Sequence, residues 1–358
     1  MNPLLQAKSL GQRIWLDNLS RELLASPLQA LIRDDGLAGV TSNPAIFQKS
    51  ISSGSGYADD LAQLKTQPLT AEQRFEALAV PDVQAACDLF ADSYRESGGL
   101  DGYVSLEVSP RLARDGDGTL AAARRLWAAI ARRNAMIKIP ATAQSLPAFS
   151  AAIADGINVN VTLMFGQRDC DAVFDAYVHG LRQRLAGGGD LRHIRSVASV
   201  FLSRVDTLVD RQLDAIGGAA LELRGQAAIA MARAAHAGWM LRWHSDECAD
   251  LRAAGANIQR LLWASTGTKN AAYSDVLYVD SLIGPDTVNT LPDATLAAFR
   301  HHGHASDTLT GQGEAARATL AQLAAVGIDM DGVAGQLQQE GLALFDEAFD
   351  KLLALLNH

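Results

Sequence analysis

Residues 135–163 read AMIKIPATAQSLPAFSAAIADGINVNVTL. Two runs rich in apolar and β-branched side chains, AMIKIP (135–140) and INVNVTL (157–163), flank a longer segment of helical character. Strand, helix and strand in that order make a parallel βαβ unit. The same alternation extends in both directions. Strands are expected at RIWLDN (13–18), LAGVTSN (37–43), YVSLEVS (103–109), SVASVFLS (196–203), RLLWAST (260–266) and VLYVDSL (276–282), which with the first pair makes eight. Helical patterns fall between them at 70–95, 119–133, 167–185, 225–253 and 295–302. The first of these opens on Thr70 and Gln73, spaced as a capping box. Eight such units predict an α/β chain closed into a (β/α)8 TIM barrel. The alternative is an open, doubly wound sheet, but no G-x-G-x-x-G follows the first strand.

The connections 44–102 and 204–259 are long, with regular apolar spacing and no Pro/Ser-rich tract, so they read as helical insertions. At roughly 150 residues per domain, 358 residues lean towards two domains. Strands over about 13–282 that share one barrel argue instead for one domain over 1–358. A typical barrel takes ~250 residues, and the excess is the two insertions and a helical extension at about 312–358. There Val333, Leu337, Gly341, Leu344, Phe345, Leu352 and Leu356 form an apolar stripe, expected to pack on the barrel exterior.

Hydrophobic residues make up 48% and charged residues 20%, as in a folded globular chain and not a disordered one. A net charge of −9 argues against a nucleic-acid or anionic-membrane partner. Cys87, Cys170 and Cys248 are scattered, with no C-x-x-C, which fits a reducing compartment and no zinc framework. The sequence shows no signal-peptide pattern and no apolar run of ~18 residues, so a cytoplasmic location is expected. The HHGH run at 301–304 ends a helix without partner ligands and is not expected to hold a metal.

In a barrel of this kind the chemistry sits at the C-terminal ends of the strands. Those ends carry Asp17, Thr41 with Asn43, Glu107, Lys138, Asn160 with Thr162, Ser199 with Arg204, and Ser265 with Lys269. The chain has only six lysines, so a lysine inside the apolar strand AMIKIP stands out. Burying an unpaired ammonium is costly, and a lysine buried in this way tends towards the neutral amine that Schiff-base chemistry needs. The alternative is a lysine that packs its stem and pairs its head, and Glu107 on the preceding strand is a natural partner. Asp17 and Glu107 are candidate acid/base groups, although Asp17 could also cap the helix that follows. Asn43 before Pro44 reads both as a helix cap and as a ligand contact. Asn158, Asn160 and Thr162 share one side of their strand and point to a polar interior or a hydrogen-bonded layer. Arg204 and Lys269 could clamp a phosphate or could be solvated surface charges.

Taken together, WLDN, GVTSNPAIF, VSLEVSPRL, IKIPAT, INVNVTLMF, SVASVFLSRVD and WASTGTKN resemble the transaldolases, Schiff-base aldolase-type barrel enzymes of the non-oxidative pentose phosphate pathway. The resemblance implies that Lys138 forms the Schiff base with a ketose C2 carbonyl. Asp17 would be the base on the C4 hydroxyl, and Glu107 with Thr162 would hold a proton-shuttling water. Thr41, Asn43, Asn160 and Ser199 would line the dihydroxyacetone site, and Arg204, Ser265 and Lys269 would grip the phosphate. A dihydroxyacetone unit would pass from sedoheptulose 7-phosphate to glyceraldehyde 3-phosphate, giving erythrose 4-phosphate and fructose 6-phosphate. No metal or organic cofactor is implied; sugar phosphates are the expected partners, and the chain would be a monomer or homodimer. ASTGTKN is two residues longer than the Ala-Ser-Phe-Arg-Asn segment of many family members and places Lys269 where they have arginine, as in the longer plant and bacterial subfamily. Fructose 6-phosphate aldolases are the nearest relatives. They typically carry Gln and Tyr where this chain has Glu107 and Phe201.

Overall fold

The structure is a computed structural model that describes residues 2–54 and 56–357. Eight parallel strands form a closed barrel: β1 (Gln12–Leu16), β2 (Gly39–Thr41), β3 (Tyr103–Glu107), β4 (Ala135–Pro140), β5 (Val159–Met164), β6 (Ser196–Phe201), β7 (Arg260–Ala264) and β8 (Thr287–Leu291). Each strand pairs with the next, and β8 closes on β1 with Gln12 opposite Thr287 and Leu16 opposite Leu291. Helices surround the barrel, as the alternating pattern predicts.

The eighth strand lies further along the chain than expected. VLYVDSL at 276–282 is not a strand, because Leu277–Asp280 forms a short helix. Val276, Val279 and Ile283 are buried at spacings of three and four, a helical packing that a short apolar run cannot distinguish from a strand. The true β8 is TVNTL, ended by Pro292 before the helix Asp293–His302. Two expected helices are also broken. The 70–95 pattern splits at Phe90 into Ala71–Leu89 and Ala91–Glu96, and the 225–253 pattern splits at Ser245 into Ala227–His244 and shorter turns. The Thr70–Gln73 capping box is formed.

Below the mouth the interior is closed by aromatic rings. Trp15 stacks on Tyr103 with ring centroids 6.2 Å apart, and Gly39 gives the indole its room. A Cβ at Gly39 would lie 2.7 Å from the Trp15 ring and 2.6 Å from the Tyr103 carbonyl. Gly39→Val is therefore expected to destabilise the barrel by roughly 2–3 kcal/mol, through the displaced indole or a parted β2–β3 pair. Thermal unfolding measures this as a Tm several degrees lower, and an unchanged Tm would contradict the packing.

The C-terminal helix, Met330–Asn357, does not lie on the barrel's outer wall. It crosses the C-terminal rim, where Gln338 Nε2 donates to the carbonyls of Ala141 (3.0 Å) and Leu163 (3.3 Å) at the ends of β4 and β5. Gly341 allows the approach, since a Cβ there would stand 3.0 Å from the Leu163 side chain. Phe349 on the same helix packs edge-on against Phe75 of the first insertion. An apolar stripe shows that a helix packs but not on which surface. Among the described residues no helix is long and apolar enough to cross a membrane.

Candidate active site

Inward-pointing side chains alternate along each strand, so the polar residues that end the strands converge on one rim. They surround a cavity of about 680 Å³, counted with the space open to solvent. From β4, Lys138 enters it with its stem buried, at 5% exposure. Its Nζ donates to the Ser42 carbonyl at 3.0 Å and lies 3.4 Å from Glu107 Oε2, an ion-pair separation. The lysine is therefore not unpartnered. Glu107 itself does not line the cavity. It sits behind Lys138 in a small apolar chamber with Phe47, Phe75, Val108, Pro110 and Phe349.

That chamber makes Glu107 a weaker acid than an exposed glutamate. Burial pushes its carboxyl above the ordinary range and the Asp17 charge adds to this, while Lys138 pulls the other way. Asp17, half-buried at the end of β1, is also pushed up by burial. Lys138 and the Thr41 hydroxyl oppose that shift, and Asp293 reinforces it. Asp17 caps no helix. The cap is Ser20, whose hydroxyl accepts from the Leu23 N–H. Asp17 instead ends a hydroxyl chain in which Thr41 Oγ1 donates to its Oδ1 and lies 2.7 Å from Thr290 Oγ1.

Asn43 holds both expected places: its side chain accepts from the Ile46 N–H as the cap of Pro44–Ser52, and it lines the cavity. Asn160 is aimed by its neighbours, donating to Ser105 Oγ and accepting from Ser199 Oγ. Thr162 is buried at the cavity with Oγ1 unpartnered by the protein. Asn158 lies apart, near the opposite end of the strand, where it bonds the backbone at Arg133 and Arg195.

The cations stand on the other side of the mouth. Arg204 opens the helix Ser203–Ile216 directly after β6 and reaches over the Phe201 ring at 5.7 Å. One of its terminal nitrogens is buried without a partner. Burial lowers its pKa, and Glu340 on the C-terminal helix opposes that. Lys269 lines the same cavity but is exposed. Ser265 links the two segments through its hydroxyl, 2.8 Å from Ser203 Oγ. It does so with a left-handed backbone, φ 55°, and Leu163 in β5 shares that strain at φ 63°. Such residues cost about 1–3 kcal/mol each and gather where a site is built.

Of the side chains expected at the site, all but Glu107 line the cavity; Gly267, Thr290, Pro292 and Phe345 line it as well and are not singled out by the sequence. Thr290 lies in β8, beyond the strand expected at 276–282, although TVNTL is rich in β-branched residues and ends at a proline, a strand signal in its own right. Phe345 comes from the C-terminal helix, and nothing local predicts that it reaches the mouth. The HHGH run is used differently: His302 pairs with Asp275 at 2.8 Å, and among the described residues no three His, Cys, Asp or Glu gather as a metal site.

Such an arrangement can carry nucleophilic amine chemistry, because a buried primary amine stands between two carboxyl groups of raised pKa, with two cations across the cavity. Residues 14–356 match the model of the transaldolase/fructose-6-phosphate aldolase family. A transaldolase of Neisseria gonorrhoeae is 52% identical over 99% of this chain and all of its own length. A transaldolase of Thiobacillus denitrificans is 49% identical with both chains fully covered, and one of Mycolicibacterium smegmatis is 46% identical over 98% of this chain and 96% of its own.

Proposed function

Because the chain belongs to the transaldolase/fructose-6-phosphate aldolase family, we propose that this aldolase-type transferase works through a Schiff base on Lys138. The dihydroxyacetone unit it moves comes from sedoheptulose 7-phosphate and goes to glyceraldehyde 3-phosphate. The observation that carries this reading is the buried Lys138 amine, 3.4 Å from Glu107 in a cavity that Asp17 and Arg204 also line or flank.

In this reading the donor lies with its phosphate against Arg204, Ser265 and Lys269 and its C1–C3 end among Thr41, Asn43, Asn160 and Ser199. The amine adds to the C2 carbonyl to give a carbinolamine. Glu107, with Thr162, passes protons so that the hydroxyl leaves as water and an imine remains. Asp17 takes the C4 hydroxyl proton, the C3–C4 bond breaks, and the aldehyde departs. The electron pair stays on the Lys138-bound three-carbon unit as an enamine. That carbon then attacks the acceptor aldehyde, Asp17 returns its proton to the new hydroxyl, and water releases the product ketose and the amine. A cytoplasmic location fits three cysteines that are all buried and free.

Glu107 and Phe201 favour transfer over simple release, since aldolase relatives typically carry Gln and Tyr there. With fructose 6-phosphate and erythrose 4-phosphate together, sedoheptulose 7-phosphate and glyceraldehyde 3-phosphate are expected to accumulate. With fructose 6-phosphate alone, free dihydroxyacetone should form at no more than a small fraction of that rate. Equal release without acceptor would make the chain an aldolase, and no turnover of either kind would end the proposal.

A further inference from the structure

Lys269 sits on a segment, 265–276, that has no regular helix or strand to place it. Its position is set from outside. A second cavity adjoins the first, and Lys269 lines both. In the second, two buried carboxylates on the helix Ser203–Ile216 take hold of the segment and of the short helix Leu277–Asp280 that follows it. Asp210 Oδ2 accepts from the Tyr273 hydroxyl at 2.6 Å, and Asp206 Oδ2 accepts from the Tyr278 hydroxyl at 2.8 Å. The other oxygen of each carboxylate accepts a backbone N–H at the start of the second insertion's long helix, from Gly225 and Ala228, both at 2.8 Å. Gly225 has φ +70°, and a Cβ there would press on the Tyr273 ring at 2.9 Å, so the glycine makes the seat for the tyrosine.

The helix that holds Asp206 and Asp210 also carries Arg204 in its first turn. Two carboxylates one turn apart therefore tie the Lys269 segment, through Tyr273, and the short helix after it, through Tyr278, to the helix that carries the other cation. We infer that Tyr273, latched on Asp210, is a positioning residue that sets Lys269 opposite Arg204 and so tunes recognition of the substrate's phosphate. This rests on the reading of Arg204 and Lys269 as a phosphate clamp. Tyr273 itself touches no reacting atom. It acts by holding the segment, and the latch should matter only for substrates that carry a phosphate.

A double-mutant cycle on the full chain separates this from a merely structural bond. Tyr273→Phe keeps the ring in its seat and removes only the hydroxyl. It is expected to raise KM for fructose 6-phosphate about five-fold with kcat little changed, because a less well placed Lys269 weakens the hold on the phosphate equally before and during reaction. Borohydride trapping of dihydroxyacetone, which has no phosphate, should be unaffected. Lys269→Ala should raise the same KM further, and adding Tyr273→Phe to it should change nothing more. An unchanged KM in either single variant overturns the inference, as do single effects that multiply in the double variant. Equal losses with fructose 6-phosphate and with dihydroxyacetone overturn it as well. If the unmutated protein traps no adduct at all, the Schiff-base reading fails instead, which a normal adduct with an unaltered Tyr273→Phe KM would not imply.

Discussion

Lys138→Met is expected to lower kcat by at least about 10⁴-fold, as removal of a covalent nucleophile does. The substitution nearly conserves volume in a strand whose neighbours, Ile137 and Ile139, are fully buried, so the barrel should persist. It strands the Glu107 carboxyl beside an apolar side chain. That carboxyl already sits above the ordinary range through burial, and loss of the neighbouring ammonium pushes it further up. Lys138→Arg is the sharper control. It keeps a cation within reach of Glu107 and the Ser42 carbonyl but cannot form an imine, so it should be as inactive as the methionine variant. Steady-state transfer from fructose 6-phosphate to erythrose 4-phosphate measures both. Substantial activity in the arginine variant would mean that the residue supplies charge and not a bond.

Asp17→Asn should lower kcat for cleavage by about 10²–10⁴-fold, the usual worth of a positioned general base. The amide keeps the shape and can still accept the Thr41 hydroxyl, so substrate binding and imine formation should survive. Borohydride would then trap an adduct at a normal rate in an enzyme that barely turns over, which separates bond formation to Lys138 from the carbon–carbon step. The pH profile carries an independent sign. The base works deprotonated, and burial raises the Asp17 pKa, so activity in the unmutated protein should fall with decreasing pH at a point above the ordinary carboxylate range. That limb should vanish in Asp17→Asn. With the Asp17 charge gone, one of the influences that raise Glu107 is removed, so the pKa of Glu107 should move down. A loss of trapping equal to the loss of turnover would shift Asp17 from cleavage to an earlier step.

Much of this was legible in the chain because strand ends are local features. Lys138 within AMIKIP, Glu107 within VSLEV and Asn160 with Thr162 within NVNVT reveal themselves by a polar residue in an apolar alternation, and the barrel then brings them together. What failed was non-local or ambiguous in period. VLYVDSL has the composition of a strand, yet its tyrosine serves the Asp206 latch and its valines pack at helical spacing. The stripe on the C-terminal helix was plain, but only the Gln338 bonds to the ends of β4 and β5 show that it crosses the mouth. The sequence offers a Lys138–Glu107 pair as an alternative to a nucleophilic role, and the pair is present. The geometry makes the two compatible, since a carboxyl beside the amine is also the group that would move its protons.

The most direct test is to reduce the unmutated protein with borohydride in the presence of fructose 6-phosphate and map the modified peptide by mass. A three-carbon or sugar adduct on the peptide containing Lys138, with the other five lysines unmodified, is expected. No adduct, or an adduct on any of the other five, would contradict a Schiff base at Lys138.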